Sequence, residues 1–548
     1  MRKLILVTLL LCLSFLADSH IGSPGVTFEG KAGAYGLLVL ITPPDVIPGT
    51  AIINIYTKGI GVESIWAKPI YWYAGSKGTP SADEMKPVPN EPGHYQGLVW
   101  LMDSGTSGIN LEVRGASGTG QILVPVMAIS TTQKVMPASL GWILFGLCVL
   151  LVVLMITIIG ASVSDGLVKP EEQISPWVNR KRWIGASISA VLLLLMLWGG
   201  KTWWDSWAAN YKRFLYKPLR ATSSVIQKKG KNFLEFKIDT TRHANLNFTR
   251  KLSAIVPDHG KLMHMFLVRA GSMDVFAHLH PQRQDSSTFI SPLPQLPNGT
   301  YLLFGDITRL SGFSETIPDT LLIENKIPVV SASADSTSLN RDDTYFITNP
   351  INKNLNDPLL ASNIVVCGKP GIKTPLADGS TAIWEKGVNE SYLAGKLYEL
   401  SFSILDENGK PADLQPYLGM MGHAVVMKTD GSVYIHLHPV GSYSMASQAT
   451  IQQRLDKETG PVNWSKLTKA SVFMDSVNQL VASLDALSED DRNKKLMGNM
   501  PHTADPDHPD HATVTFPYSF PTAGSYRIWI QMKRNGKILN SAFDVEVE

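Results

Sequence analysis

The chain has 548 residues, 49 of them basic and 47 acidic. That is too long for one ordinary domain and too evenly charged for a nucleic-acid footprint. Its three cysteines, Cys12, Cys148 and Cys367, exclude a disulfide framework and a cysteine zinc cluster within one chain. Cys12 and Cys148 fall in apolar runs, and Cys367 reads as a small buried residue, with a lone thiolate ligand as the alternative.

The chain opens "MRKLILVTLLLCLSFLADSH", where Arg2 and Lys3 precede an apolar core and Ala17 and Ser19 supply the small residues of a cleavage site. Residues 1–19 therefore read as a signal peptide. His20, beside the new amino terminus, either chelates a metal or simply follows the cut. Residues 20–135 hold short β-rich runs broken by Gly and Pro, the spacing of a small exported antiparallel sandwich. His94, its only internal histidine, sits in a turn and reads as structural or solvated.

Two apolar runs follow. Residues 138–163 exceed the roughly 20 that cross a ~30 Å hydrocarbon layer, and residues 183–200 still suffice. Trp183, Trp198, Trp203 and Trp204 are interfacial anchors, and Lys169, Arg180, Lys181 and Arg182 make the loop 164–182 positive, as on the cytoplasmic side. Neither run holds an acidic residue or a histidine between Trp142 and Ile159 or between Ile184 and Leu197, so both read as anchors and not as an ion path. The basic, aromatic stretch 201–231 is either an amphipathic segment on the membrane surface or a juxtamembrane linker.

Beyond it, residues 232–326 read as a second sandwich, the Ser/Asp/Asn-rich residues 327–360 as a linker, and residues 361–548 as a third sandwich. The third carries an insertion, 451–497, in which Leu467, Val472, Val477, Leu480 and Leu484 recur at helical spacing. The expected class is mainly β: three sandwiches, two transmembrane helices between the first and second, and a helical insertion in the third.

Two stretches in the last two sandwiches match. "DHGKLMHMFLVRAGSMDVFAHLHP" covers 258–281, and "YLGMMGHAVVMKTDGSVYIHLHP" covers 417–439. A two-residue hairpin turn at Asp430-Gly431, whose residues tolerate positive φ, sets Val425 opposite His436 and His423 opposite His438. Centring the longer first loop on Ser272 sets Phe266 opposite His278 and His264 opposite His280. Because strand side chains alternate, each hairpin then gathers three imidazoles on one face: His264, His278 and His280, and His423, His436 and His438. Neutral imidazole suits copper, zinc, nickel or iron, and thioether sulfur favours Cu(I). Met263, Met420 and Met421 are the candidate sulfur ligands. His259 either joins the first site from the preceding loop or is a solvated loop residue. The segments "GTYLLFGD" (299–306) and "GSYRIWIQ" (524–531) repeat as well, supporting a duplication independently of the histidines. A third feature, Met500, His502, His508 and His511 in a proline-punctuated loop, is either a metal-capturing arm or a solvated loop.

At residues 258–281 and 416–445 the sequence resembles the YtkA-like domains of exported bacterial proteins, small immunoglobulin-like sandwiches similar in build to CopC-type copper-handling proteins. The resemblance covers about a third of the chain. It implies immunoglobulin-like sandwiches and copper binding, as Cu(I) or Cu(II) with zinc as the other candidate, through the two histidine trios in a bacterial periplasm. The expectation is a protein anchored in the inner membrane with both soluble parts outside. It would handle copper for resistance, storage or delivery to an acceptor protein, by ligand exchange at sites exposed at strand ends. No catalytic motif stands out. A cupin-like metalloenzyme is the rival, weakened because no Glu follows the His-x-His pairs; an interaction module with incidental histidines is the third reading.

Overall fold

The computed structural model describes residues 20–21, 25–59, 61–167, 169, 171–241, 251–324, 340–351, 373–387, 391–457, 460–498 and 512–548. The leader 1–19, Cys367, residues 327–339 and 352–360 of the 327–360 linker, and the loop bearing Met500, His502, His508 and His511 lie outside the described residues. The chain is mainly β, with several sheets, and divides into two compact units: Ile129–Lys217, and the remainder on either side of it.

The Ile129–Lys217 unit contains α1 (Ala138–Ser164) and α2 (Pro176–Phe214), both long and apolar enough to cross a membrane. Pro176 begins α2 behind Ser175, whose hydroxyl accepts from Val178 N at 3.4 Å, as an N-cap does. The helices approach through small residues: a side chain at Gly160 would meet Ala186, and one at Gly185 would meet Val163. The helix does not stop at Gly200, where the second apolar run ends. α2 continues through Phe214, helped by the Lys201–Asp205 pair at 2.5 Å, because no proline interrupts the chain before Pro218. Residues 221–228 of the presumed surface segment are instead a strand paired with Lys231–Ile238.

In the larger unit, strands between Val26 and Ala128 enclose a core that includes Phe28, Val39, Ile53, Val99 and Ile109. Two further β modules carry the histidine hairpins. In the first, β1 (His264–Arg269), β2 (Val275–Leu279) and β3 (Gly299–Arg309) belong to a six-stranded sheet. That sheet packs on a four-stranded one through Phe236, Leu267, Ala277, Phe289 and Leu303. In the second, β4 (His423–Lys428), β5 (Val433–Leu437) and β6 (Gly524–Arg534) form a sheet that shares a core with its own four-stranded partner, through Phe402, Val426, Leu437, Phe516 and Ile528.

The second faces of these two hairpin sheets pack on each other. Every residue of β1 and of β2 is buried, so both strands are near-continuous apolar runs instead of alternating ones. Phe276 stacks on Trp529 at 5.2 Å, and Tyr434 stacks on Phe304 at 4.0 Å. In the repeated sequences Phe276 corresponds to Tyr434, and Phe304 to Trp529, so the two contacts exchange under the duplication. The modules therefore meet as an isologous pair inside one chain, with aromatic stacks worth about 0.5–1.5 kcal/mol each beyond their burial.

Two additions lock this pair. The segment after the second hairpin seats the N-terminal strands: Glu29 N donates to Val440 O at 2.9 Å, Ser442 N to Thr27 O at 3.1 Å, and Met420, Val440 and Tyr443 enter the N-terminal core. Gly441, at φ 138°, lies so close that a Cβ there would sit 2.0 Å from Thr27 O. The expected insertion comprises α3 (Met445–Lys457), α4 (Ala470–Asp485) and α5 (Glu489–Gly498). Although rooted in the second module, it clasps the first, with Val477 of α4 in that module's core. Arg492 of α5 holds Asp342 through two bonds of 2.5 and 2.6 Å, and Lys261 bridges Asp342 at 2.9 Å and Asp485 at 2.7 Å. Burial would raise the Asp342 carboxyl, but Arg492 and Lys261 outweigh it and hold that group low.

Candidate metal centre

The observed registers pair Phe266 with His278 and Val425 with His436, the pairings that the turn arithmetic gives. One detail differs. In the second turn only Gly431 is left-handed, at φ 74°; Asp430 is not, and its carboxylate instead accepts from Ser432 N at 2.8 Å. Register follows from ladder and core in spite of the different turn.

Face-to-face packing brings seven histidines into one buried cluster. His259, His264, His278, His280, His423, His436 and His438 are all at most 9% exposed, so the sites are interior and not at exposed strand ends. Two trios place ring nitrogens within 4.8 Å of one another: His264, His278 and His280, and His259, His423 and His438.

The first trio is the expected one. His264 Nε2 lies 3.1 Å from Asp258 O, His278 Nδ1 2.8 Å from Gln531 Oε1, and His280 Nδ1 2.9 Å from Asp343 Oδ1. Those oxygens accept, so those nitrogens carry the protons. In this orientation Gln531 Nε2 donates to Asn540 Oδ1 at 2.9 Å, and Asn540 Nδ2 donates to Thr344 Oγ1 at 2.8 Å. The remaining nitrogens therefore present lone pairs. His264 Nδ1 and His278 Nε2 face each other at 3.1 Å with no proton left to share, and His280 Nε2 is buried without a hydrogen-bond partner. Facing lone pairs repel unless a cation lies between them. An oxygen behind each imidazole is also the arrangement that orients metal-bound histidines.

The second trio differs from expectation. His259 joins it from the first module, while His436 stands aside with Nδ1 3.7 Å from Asp306 Oδ2. The crossing is made by a pair of matched turns. His259 and Leu418 occupy equivalent left-handed positions at φ 49° and 53°, each followed by a left-handed glycine, Gly260 at 79° and Gly419 at 80°. Each turn is closed by reciprocal backbone bonds, Asp258 with Lys261 and Tyr417 with Met420. The His259 ring hydrogen-bonds the Leu418 backbone, so the two turns touch where the modules meet. His438 Nδ1 donates to Tyr443 O at 3.1 Å, leaving Nε2 as a lone pair. Among the described residues, His259 Nε2, His438 Nε2, His436 Nε2 and both nitrogens of His423 are buried without hydrogen-bond partners.

Burial pushes His259 down to about 4 and His438 to about 3, and with neighbouring imidazoles it holds His264, His278, His423 and His436 well below the ordinary histidine value. At neutral pH these rings are uncharged, the form that ligates metal. Phe266 lies flat on His278 at 4.1 Å, and Tyr417 presents its edge to His423 at 5.1 Å, shielding the cluster from water.

The methionines do not join it. Met263 is in the core of the first module, one residue before His264 and so on the opposite strand face. Met420 is in the N-terminal core, and Met421 packs on the core of the second module. The residues not anticipated are the orienting ones, Asp258, Asp343 and Gln531, together with Asp306. Asp343 lies in the stretch read as a linker, where Thr344–Ile347 is in fact a strand paired with β2. A signal existed for two of them: Asp306 and Gln531 end the repeated segments and pair with His264 and His423 respectively.

A family model described as "Domain of unknown function (DUF8832)" matches residues 377–462, a stretch that includes His423, His436 and His438. No curated protein matches the chain. Among solved structures, dimeric latent PorU from Porphyromonas gingivalis aligns over 91% of this chain and 32% of its own at 7% identity and TM-score 0.13. The Salmonella alpha-2-macroglobulin mutant Y1175G aligns over 96% and 24% at 9% identity and TM-score 0.17. A putative membrane anchored protein from Corynebacterium diphtheriae aligns over 95% of both chains at 10% identity and TM-score 0.13. The chain thus spans about a third of the PorU structure, and likenesses this slight carry no argument about function.

Proposed function

We propose that this is a membrane-anchored transition-metal protein of the bacterial periplasm, binding two ions per chain, with copper the leading ion and zinc the other candidate. One observation carries the reading. Six buried ring nitrogens on five histidines lack hydrogen-bond partners in the described structure, and a further two lone pairs face each other at 3.1 Å. Leaving a buried polar group unsatisfied costs about 1–3 kcal/mol, against a total stability of about 5–15 kcal/mol for a typical domain, so so many together call for a bound cation. His264, His278 and His280 would hold one ion, and His259, His423 and His438 the other. All-imidazole donors fit Cu(II) and Zn(II) and also accept Cu(I).

Burial of both trios favours a resident centre or a store over rapid ligand exchange at the surface. The hairpin modules are read, with their YtkA-like and CopC-like resemblance, as immunoglobulin-like sandwiches. The two long apolar helices are read as anchors, with the positive loop cytoplasmic and both β portions outside. An acceptor protein would be needed if the role is delivery.

The test is competitive titration of the whole chain in detergent with Cu(I), Cu(II) and Zn(II), beside a His264→Ala/His423→Ala variant. About two ions bound tightly by the wild type and lost in the variant is the expected result. Equal, weak binding by both would overturn the reading. The whole chain is used because N-terminal strands share a core with Val440 and Tyr443, next to the second trio.

A further inference from the structure

We propose that the two trios are halves of one dinuclear metal centre straddling the module interface, with His436 shared by both ions as imidazolate, one ring nitrogen to each, its ring proton released to solvent as the second ion binds. The inference rests on the metal-binding reading above and concerns how its two sites relate.

Spacing is the first observation. Within the first trio the rings are 5.4, 5.1 and 4.4 Å apart, and within the second 5.5, 4.8 and 5.4 Å. Between trios, His259 lies 6.1 Å from His264, and His278 lies 6.4 Å from His423. The gap between the sites is barely larger than the gaps within them.

His436 fills that gap. Its ring is 5.4 Å from His264, 5.9 Å from His278, 5.4 Å from His423 and 4.5 Å from His438, so it adjoins members of both trios. Its Nε2 is buried without a hydrogen-bond partner among the described residues.

The duplication supplies the second observation. His278, the counterpart of His436, is fixed by Gln531 at 2.8 Å from the opposite module. At His436 the corresponding group is Asp306, which lies 3.7 Å away, beyond hydrogen-bond reach, and already accepts from Thr316 Oγ1 at 2.6 Å and Tyr434 OH at 3.0 Å. Of two related histidines, one is committed to a single site and the other is left unfixed between two. Phe266 lies against both, 4.1 Å from His278 and 4.8 Å from His436. Cations this close in a buried setting act on each other, so occupancy of one trio must alter the affinity of the other.

The experiment uses the whole chain in detergent, titrated with Zn(II) by competition and with Cu(II) by electron paramagnetic resonance. His280→Ala isolates the second trio and His438→Ala the first. Each variant is expected to hold one ion, and the second ion of the wild type to bind with an affinity at least tenfold different from that trio's affinity alone. With two Cu(II) bound, the integrated signal should fall below that of two isolated ions. His436→Ala, placed in each single-trio background, is expected to weaken both trios at least fivefold; His436→Gln, which keeps bulk and polarity, guards against misfolding. Two ions with independent affinities and full signal, or an effect of His436 confined to one trio, overturns the dinuclear centre and leaves the metal-binding reading standing. Failure to bind either ion removes the metal-binding reading and this inference with it.

Discussion

The orienting groups make the most direct predictions at the level of single side chains. Asp343 accepts from both the backbone N and the Nδ1 of His280, each at 2.9 Å. Asp343→Ala should therefore weaken the first trio by about 10–100-fold, as loss of an orienting partner typically does, and leave ion binding at the second trio in place. Titration in the His438→Ala background checks the first part, and ion binding by Asp343→Ala in the His280→Ala background checks the second. His423 raises a different expectation, since neither of its ring nitrogens is satisfied. His423→Leu replaces an orphaned polar ring with an apolar side chain of similar volume. The metal-free protein should then gain about 1–3 kcal/mol while one ion is lost, a combination that paired denaturant melts with and without metal would reveal. A merely structural histidine would lose stability on the same change.

Register and strand direction carry the account from residues to elements. The hairpin pairings were legible because ladder and core set the register that the turn arithmetic also gives, and the three-histidine face of each hairpin follows from period-two alternation. Alternation also shows why Met263 could not accompany His264. Contact between the two hairpins was not legible. Nothing in either sequence alone states that its second face is covered, and only the near-continuous apolar character of β1 and β2 hinted at it. The consequences were a misassigned His259 and the missed partners Asp343, Asp306 and Gln531, all of which act across elements distant in sequence. Phe304 tests this interface. It is almost fully buried and stacks on Tyr434 at 4.0 Å, so Phe304→Ala should cost about 3–5 kcal/mol and weaken both trios together. Urea unfolding and metal stoichiometry measured on the same sample would show it.

Across the whole molecule, the N-terminal strands, the two hairpin modules and the inserted helices belong to one compact unit, and the histidine cluster sits where the two hairpin modules meet. Six of its histidines resist protonation when folded, with His259 at about 4 and His438 at about 3 against 6.5 for a free side chain. Above about pH 6.5 these rings are largely neutral folded or unfolded. Between there and about pH 4 the unfolded chain takes up protons that the folded chain refuses, so stability falls as the pH drops through that window. The metal-free protein is expected to lose stability steadily from pH 6.5 to 4, and bound metal to raise its stability across that range; thermal melts at a series of pH values check both. A flat profile would mean the rings protonate in place.

The central claim is that buried imidazoles, without sulfur, hold the metal. X-ray absorption of the copper-loaded whole chain tests it most directly. The expected spectrum has a nitrogen first shell with the outer-shell scattering of about three imidazoles per ion and no sulfur shell. A sulfur shell would return Met263, Met420 or Met421 to the site and contradict the geometry; a spectrum of oxygen ligands without imidazole scattering would contradict the metal centre itself.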